Sequence, residues 1–350
     1  MIKFYKNKKI LITGHTGFKG IWLSNVLIYL GARVYGISKN DENIKNFRNL
    51  CETNKLKSYI FDILDKKKLN KIIKYIEPEI IFHLAAQSIV RTSYQFPEIT
   101  FETNFNGTLN VLSIATKLKK LKSIIIVTSD KCYHNQNKKN YFVETDSLGG
   151  DDPYSASKGA SEILFNSYLK SFFYKKKIGA ATARAGNVLG GGDWSRDRII
   201  PDCVRCIVKN KKFIIRNPNS TRPWQHVLDV INGYLILGQM LIKNKKKYSG
   251  NWNFGPKNKK KMNVRNLIIL FLQFMKKKNM LFFSKKNKKY LESKFLNLNS
   301  SKANNLLKWK NKYNIKMTLQ LTAEWYRDKI NNKYNHHMMA KQIRNFFTIK

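Results

Sequence analysis

Two side chains, Tyr154 and Lys158, have the types and the spacing that proton transfer requires. Asp152 and Pro153 precede them, and an acidic cap followed by proline is typical of a helix start. Four residues apart on a helix, Tyr154 and Lys158 share one face. A neighbouring ammonium lowers the pKa of a tyrosine from its usual ~10. The phenolate can then accept a proton from a hydroxyl group while hydride leaves the same carbon, unless the two residues are only a surface pair.

A second polar cluster, Ser129-Asp130-Lys131, follows the apolar run Ile124–Val127. It lies at the carboxyl end of a predicted parallel strand, where open α/β sheets bind ligands. A hydroxyl, a carboxylate and an amine can all take part in proton transfer there. A lysine is a base only when neutral, and a partly buried site near the Lys158 cation favours that form. The alternative is a lysine that pairs with Asp130 or with a substrate phosphate.

A third pattern joins a strand, a glycine turn and a helix. Gly14, Gly17 and Gly20 follow an apolar run and precede the amphipathic stretch Ile21–Leu30. Gly14 permits the turn, Gly17 lets backbone N–H groups approach phosphates, and Gly20 lets the helix pack close to the strand. The positive end of the helix then faces the anion. This order predicts a dinucleotide pyrophosphate site, and the alternative is an ordinary glycine-rich turn.

The elements that must position these residues alternate between strand and helix in the first half of the chain. This alternation predicts an α/β fold with a Rossmann-type doubly wound parallel sheet. The predicted strands are Lys9–Thr13, Arg33–Ser38, Lys57–Phe61, Ile80–Leu84, Ser123–Thr128 and Ile178–Ala183. The predicted helices between and after them include Leu64–Tyr75, Glu98–Leu118 and Tyr154–Phe173.

The pattern changes after Gly190, and we expect a second, smaller lobe there. A helix is predicted at Arg198–Val208 and a short strand at Phe213–Arg216. The late run Trp252–Phe254 is predicted to return to the main sheet. The predicted division assigns residues 1–187 and 226–256 to a dinucleotide-binding domain, and residues 188–225 and 257–350 to a smaller mixed α/β substrate-binding lobe.

The composition of the 350-residue chain is strongly basic, with a formal net charge of +44. Such a charge invites a nucleic-acid hypothesis, yet the lysines are scattered and no nucleic-acid-binding motif stands out. We therefore expect no specific nucleic-acid partner and keep a polyanion-binding protein on a retired dehydrogenase fold as the non-enzyme alternative. No secretory signal or membrane span is evident. The four cysteines are dispersed, so we expect a cytoplasmic protein with reduced thiols and without a metal site.

Taken together, the motifs resemble the extended short-chain dehydrogenase/reductase superfamily, specifically its nucleotide-sugar enzymes. The closer resemblance is to the CDP-glucose 4,6-dehydratase subgroup. The segments that carry it extend over nearly the whole chain and are Gly14-His-Thr-Gly-Phe-Lys-Gly-Ile-Trp22, His83-Leu-Ala-Ala-Gln-Ser-Ile-Val-Arg91, Thr128-Ser-Asp-Lys-Cys-Tyr133, Gly149-Gly-Asp-Asp-Pro-Tyr-Ser155, Ala183-Arg-Ala-Gly-Asn-Val-Leu-Gly-Gly-Gly-Asp-Trp194 and Arg222-Pro-Trp-Gln-His-Val227.

The resemblance implies NAD as cofactor and a set of residues that hold it. These residues are Gly14, Thr16, Gly17, Phe18, Gly20, Asp62, Ile63, Leu84, Ala85, Ala86, Asn104, Tyr154 and Lys158. Asp62 would meet the adenine, and Lys158 would bind the nicotinamide ribose. The second strand, however, ends in Ser38-Lys39 without the acidic residue that binds the adenosine ribose of NAD. A serine and a lysine there suit the extra phosphate of NADP, so the residues themselves leave NAD and NADP open.

The resemblance also implies the catalytic roles. Tyr154 would be the oxidation base, and Ser129 would orient the substrate. Asp130 would protonate the departing C6 hydroxyl, and Lys131 would remove the C5 proton.

The implied substrate is CDP-glucose, and the implied product, CDP-4-keto-6-deoxyglucose, feeds deoxysugar synthesis for surface polysaccharides such as the lipopolysaccharide O-antigen. The implied substrate-binding residues are Gln87, Ser88, Asn187, Arg222 and His226. A planar guanidinium such as that of Arg222 suits a phosphate. The implied assembly is a homodimer. A nucleotide-sugar 4-epimerase is the alternative enzyme, because it shares the glycine turn and the Tyr/Lys pair but needs no acid and base for elimination.

Overall fold

The computed structural model describes residues 1–41, 43–135, 141–215, 217–256, 262–277, 280–283, 296–331 and 335–348. The helices are α1 (Ile2–Tyr5), α2 (Phe18–Tyr29), α3 (Asn43–Leu50), α4 (Lys66–Ile76), α5 (Val90–Gln95), α6 (Pro97–Phe101), α7 (Gly107–Ala115), α8 (Pro153–Tyr168), α9 (Ile199–Val208), α10 (Val227–Lys243), α11 (Lys245–Tyr248), α12 (Val264–Phe274), α13 (Ser301–Leu306), α14 (Ile315–Ile330) and α15 (Asn335–Thr348). The strands are β1 (Lys9–Thr13), β2 (Arg33–Ser38), β3 (Leu56–Ile60), β4 (Ile80–His83), β5 (Ser123–Val127), β6 (Gly179–Ala185), β7 (Val188–Leu189), β8 (Phe213–Ile215), β9 (Gln225–His226), β10 (Gly250–Phe254) and β11 (Leu281–Phe283).

Seven of these strands form one parallel sheet in the order β10-β6-β5-β4-β1-β2-β3. Strands β4, β5 and β6 are buried along their whole length, as in a parallel sheet covered by helices on both faces. The doubly wound fold is therefore confirmed. The bounds of β1 and β2 agree with the prediction, whereas β3 begins and ends one residue earlier. The late strand β10 pairs with β6, as the sequence predicted.

Two apolar cores lie on the two faces of the sheet. One contains the buried side chains of α2 and α10 together with those of α14 and α15. The other contains those of α4, α7 and α8. The predicted helix Glu98–Leu118 is interrupted, because a π-helical turn at Glu102–Asn106 separates α6 from α7.

Two small parallel sheets, β7–β9 and β8–β11, lie outside the main sheet. Arg216, the last residue of the predicted strand Phe213–Arg216, lies outside the described residues. The last helix, α15, packs against α2 and α3, and Met339 accepts a hydrogen bond from Asn25 at 3.2 Å. The division of the chain into two lobes stays a prediction.

One buried carboxylate ties α8 to the sheet. Glu162 is fully buried and accepts hydrogen bonds of 2.5–2.9 Å from Thr128, Thr182, Arg184 and Asn251. These donors lie at the end of β5, on β6 and on β10, so one side chain fixes the helix against three strands. The ion pair with Arg184 is buried on both sides.

The first prediction concerns this anchor. Glu162→Gln leaves the buried Arg184 guanidinium without its charge partner, so we expect the free energy of unfolding to fall by about 3–5 kcal/mol in urea denaturation. The matched control is Glu52→Gln, which removes the surface pair with Lys55 and should change stability by only about 0–1 kcal/mol. Equal losses in the two variants would contradict this assignment.

Candidate active site

The glycine turn between β1 and α2 has the geometry of a phosphate cradle. Gly14 has φ +77°, and a Cβ there would lie 2.7 Å from the backbone nitrogen of Ala85. A Cβ on Gly20 would lie 2.1 Å from the carbonyl oxygen of Gly14, so only glycine allows this close approach. Gly17 caps α2, and no side chain caps the first turn. The amides of that turn are therefore available to an anion.

Residues of β2 and β3 contact the turn. The backbone N–H of Thr16 donates to Ser38 Oγ at 3.3 Å, and Thr16 is buried. Ser38 is buried at the end of β2, whereas Lys39 is exposed. His15 packs its ring against Gly36 and hydrogen-bonds Ser58 at 2.7 Å; burial lowers the pKa of His15 to about 4, so the ring is neutral.

The other predicted cofactor residues line the carboxyl ends of β3 and β4. Asp62 accepts a hydrogen bond from the N–H of Leu64 at 3.0 Å, and Ile63 is buried beside Gly107. Leu84, Ala85 and Ala86 are partly exposed just after β4.

Asn104 binds the loop that follows β4. Its amide accepts from the N–H of Gln87 at 2.9 Å and donates to the carbonyl of Gln87 at 3.0 Å and to Ser157 at 2.9 Å. Asn104 thus joins the loop after β4 to α8. The side chain of Gln87 itself is engaged with Thr100 and with the N–H of Ile89.

The helix start at Asp152 places the Tyr/Lys pair as the sequence predicted. Asp152 caps α8 by accepting from Ser155 at 2.9 Å, and Pro153 occupies the first turn. Tyr154 is 8% exposed and Lys158 is 5% exposed. Burial lowers the pKa of Lys158 to about 8, against the opposing charge of Glu162.

The expected acidity of Tyr154 is corrected by the structure. Burial raises the pKa of Tyr154 to about 12, and Asp130 and Asp152 act in the same direction, while a hydrogen bond to Ser129 and the charge of Arg198 oppose them. The phenol is therefore protonated at neutral pH in the protein alone. The acidity predicted from the Lys158 ammonium is wrong because desolvation of the phenolate is the largest effect on the pKa of Tyr154.

Asp130 lies at the centre of the polar cluster after β5. It is 4% exposed, and burial raises its pKa to about 6, while Lys131, Ser129, Arg222 and Lys19 act in the opposite direction. Ser129 Oγ donates to Asp130 Oδ1 at 3.1 Å. The other oxygen, Oδ2, is buried without a hydrogen-bond partner among the described residues, as expected of an oxygen that meets a substrate.

Lys19 is a site residue that the sequence reasoning missed. It lies half-buried in the first turn of α2, with its amine 6.0 Å from the ring centre of Tyr234. Burial and the charges of Arg198 and Lys158 lower the pKa of Lys19 to about 7, and Asp130 opposes them. The sequence does offer a signal for Lys19, because this lysine lies inside the glycine motif, directly before Gly20.

Arg198 is the second residue that was missed. It donates to Asp193 at 3.3 Å and to Ser88 at 3.2 Å, and therefore lies beside a predicted substrate residue. Arg198 and Lys19 lie within electrostatic reach of each other, and a pair of such basic side chains suits a diphosphate.

The remaining predicted substrate residues differ in how far they are exposed to solvent. Asn187 is exposed after β6, and Arg222 is partly exposed. His226, in contrast, is fully buried, accepts from the N–H of Leu228 at 3.2 Å and packs against Trp22 and Tyr313. The structure does not bring His226 to the cleft surface, because the residue caps α10 inside the protein.

A cavity next to Arg222 is lined by aromatic, proline and amide side chains. Three of its polar atoms, Thr221 Oγ1, Trp224 Nε1 and Asn297 Nδ2, are buried without partners among the described residues. In the described ranges, no three His, Cys, Asp or Glu side chains cluster as metal ligands would, and no described helix is both long and apolar enough to span a membrane.

Known proteins with similar sequences include nucleotide-sugar dehydratases. The family model described as GDP-mannose 4,6 dehydratase matches residues 11–322. Fold and motifs define an enzyme of the epimerase/dehydratase class, and the chain belongs to this dehydratase family. The resemblance predicted from the motifs is thus confirmed.

The similar proteins include both dehydratases and an epimerase. A CDP-glucose 4,6-dehydratase from Salmonella typhimurium is 38% identical over 93% of this chain and 92% of its own length. A dTDP-glucose 4,6-dehydratase from Streptomyces venezuelae, solved with NAD, is 20% identical and has a TM-score of 0.79 over 93% of this chain and 98% of that one. An epimerase from Methanothermobacter thermautotrophicus has a TM-score of 0.80 at 22% identity, over 95% and 96% of the two chains. The solved structures support the fold.

Proposed function

We propose that this chain is an NAD-dependent CDP-glucose 4,6-dehydratase that forms CDP-4-keto-6-deoxyglucose for deoxysugar and surface polysaccharide synthesis. The observation that carries the proposal is the acid–base cluster Ser129-Asp130-Lys131 beside Tyr154 and Lys158. An epimerase needs the pair but has no use for an acid at Asp130. The Salmonella relative, matched over nearly the full length of both chains, supports CDP-glucose as the substrate.

The residues present fit NAD. The glycine cradle and the uncapped first turn of α2 suit its pyrophosphate. Lys158, one turn after Tyr154 on α8, would hold the nicotinamide ribose. Ser38 is only 5% exposed at the end of β2, and this burial keeps an extra phosphate from its hydroxyl, which favours NAD over NADP. When bound there, NAD would supply the hydride acceptor for C4 and the hydride donor for C6.

The protein's own residues would move the protons. Tyr154, in its phenolate form, would accept the proton of the C4 hydroxyl as hydride leaves, and the positive charge of a bound oxidised nicotinamide would favour that form. The resulting ketone acidifies the C5 proton, which Lys131 removes. Asp130, whose raised pKa of about 6 keeps part of it protonated near neutrality, donates to the C6 oxygen, which departs as water.

The second prediction tests the reaction itself. Incubated with NAD and CDP-glucose, the protein should give a sugar nucleotide lighter by one water, measured by mass spectrometry; an unchanged mass with an inverted C4 centre would identify an epimerase instead. Tyr154→Phe removes only the proton acceptor, so turnover should fall by about 10²–10⁴-fold while CDP-glucose binding in calorimetry is retained. Near-normal turnover in that variant would remove Tyr154 from the chemistry.

The third prediction separates oxidation from elimination. Asp130→Asn and Lys131→Met should both oxidise C4 and then stall, so that reduced nicotinamide accumulates on the protein and absorbs in stopped flow. In Lys131→Met the exchange of the C5 proton with heavy water should also cease. Exchange at the wild-type rate would show that another group is the base.

A homodimer is part of the proposal. Helices α6 and α8 pack side by side and expose large apolar side chains, namely Ile99, Phe101 and Ile163, which are 38–62% exposed. Such a patch marks an interaction surface, and we assign it to a second copy of the chain. A cytoplasmic location also belongs to the proposal, because all four cysteines are free thiols.

The fourth prediction tests the dimer. Ile163→Glu places a charge in the patch and should convert a dimer to monomers in sedimentation at equal concentration. The matched control is Val208→Glu, a similarly exposed apolar residue on α9, which should leave the dimer intact. A wild-type monomer, or dissociation in both variants, would contradict the assignment.

A further inference from the structure

A buried histidine at the end of β4 has no part in the proposed chemistry, yet both of its ring nitrogens are hydrogen-bonded. Nδ1 of His83 lies 2.6 Å from the hydroxyl of Thr13 on β1, and Nε2 lies 3.0 Å from the hydroxyl of Thr108 on α7. All three side chains are at most 3% exposed. Because a neutral imidazole has one donor and one acceptor, the ring donates one of these bonds and accepts the other.

The partner of Thr108 decides which nitrogen of His83 carries the proton. The hydroxyl of Thr108 lies 2.6 Å from the carbonyl oxygen of Asn104, and because a carbonyl only accepts, the single proton of Thr108 goes there. Thr108 therefore accepts from Nε2–H, and the bare Nδ1 accepts from Thr13. Burial and the charge of Lys158 lower the pKa of His83 to about 3, so the ring is neutral. The opposite tautomer would leave the short contact between Thr108 and Asn104 without a proton.

The two ends of this hydrogen-bond chain lie at the cofactor turn and at the catalytic helix. Thr13 directly precedes Gly14, the first glycine of the turn. At the other end, the side-chain amide of Asn104 donates to Ser157 at 2.9 Å, and Ser157 donates to the carbonyl oxygen of Tyr154 at 2.7 Å. The imidazole is thus the middle member of a buried set of hydrogen bonds that runs from the glycine turn to the backbone of Tyr154.

We propose that His83, as the Nε2–H tautomer, is a positioning residue that keeps the cofactor turn aligned with Tyr154, an inference that rests on the proposed dehydratase function. His83 acts through Thr13 on the turn and through Thr108 on the helices, not on a reacting atom. Hydride and proton transfer at C4 need the cofactor and the base to be aligned together, and a displacement of about 1 Å can cost about 10²-fold in rate. Because the ring is neutral, it joins these elements without adding a positive charge near Lys158.

The first measurement is spectroscopic and needs no turnover. In protein labelled with ¹⁵N-histidine, the signals of His83 are assigned through His83→Gln, which keeps a donor and an acceptor. At neutral pH, Nε2 should be protonated and Nδ1 bare. Saturation with NAD should shift the Nδ1 signal, because Thr13 directly precedes the turn that would receive the pyrophosphate. A protonated Nδ1, or an Nδ1 signal that NAD leaves unchanged, would overturn the proposal.

The kinetic test removes the acceptor of Nε2–H and keeps the shape of the side chain. In Thr108→Val, reduced nicotinamide should form about 10–10²-fold more slowly after rapid mixing with CDP-glucose, while the dissociation constant of CDP-glucose in calorimetry stays unchanged. Thr108→Ser keeps the hydroxyl and should retain the wild-type rate. The matched control is Thr322→Val on α14, which should also retain it. Thr322 is likewise buried and donates to the carbonyl four residues back at 2.7 Å, but it lies outside this hydrogen-bond chain.

The spectra of the variants link the two measurements. In Thr108→Val the proton of His83 should be shared between both ring nitrogens, because Nε2–H has lost its acceptor, whereas Thr108→Ser and Thr322→Val should keep the wild-type spectrum. A Thr108→Val variant that slows no more than Thr322→Val, or no more than Thr108→Ser, would show that the chain only stabilises the fold and would overturn the proposal. Absence of dehydrated product from the wild type would instead refute the proposed function, and the tautomer of His83 with its response to NAD would still decide whether the ring joins the turn to the helix.

Discussion

The buried carboxylate of Glu162 is the contact on which the catalytic geometry depends. It lies one helical turn after Lys158 and two turns after Tyr154, so fixing it against β5, β6 and β10 fixes the face that carries both. Removing a charge from water costs several kcal/mol, and Arg184 with three neutral donors offsets that cost. The same negative charge raises the pKa of Lys158 against the effect of burial. A single side chain thus positions the helix and adjusts its amine.

A second constraint is the contact between β1 and α2. Gly14 and Gly20 bring the helix start so close to the strand that the turn before α2 borders the carboxyl end of β4. This closeness carries Lys19 into electrostatic reach of Asp130 and Lys158. The phosphate cradle and the acid–base cluster are therefore neighbours because two residues lack a side chain. The scattered surface lysines that dominate the net charge have no part in this arrangement.

Sequence reasoning succeeded where a local rule decides the outcome. The alternation of apolar strands fixed β1 and β2, and the Asp152-Pro153 cap placed the start of α8. It failed where the outcome depends on what surrounds a residue. The phenol of Tyr154 is less acidic than predicted because burial outweighs the effects of Ser129 and of the Arg198 charge, and His226 is enclosed because its ring packs against Trp22 and Tyr313. Lys19 was missed because its partners are distant in sequence.

The pKa shifts of the cleft side chains all favour the neutral form of the group. Burial raises the pKa of Tyr154 and Asp130 and lowers those of Lys158 and Lys19, so each group moves toward its neutral form. A buried cleft minimises its own charge in this way, because unpaired charge is costly away from water. An anionic diphosphate would reverse the trend for the amines and an oxidised nicotinamide would reverse it for the phenol. The charges that the chemistry needs would therefore develop when the ligands bind, whereas in the protein alone the phenol of Tyr154 stays protonated.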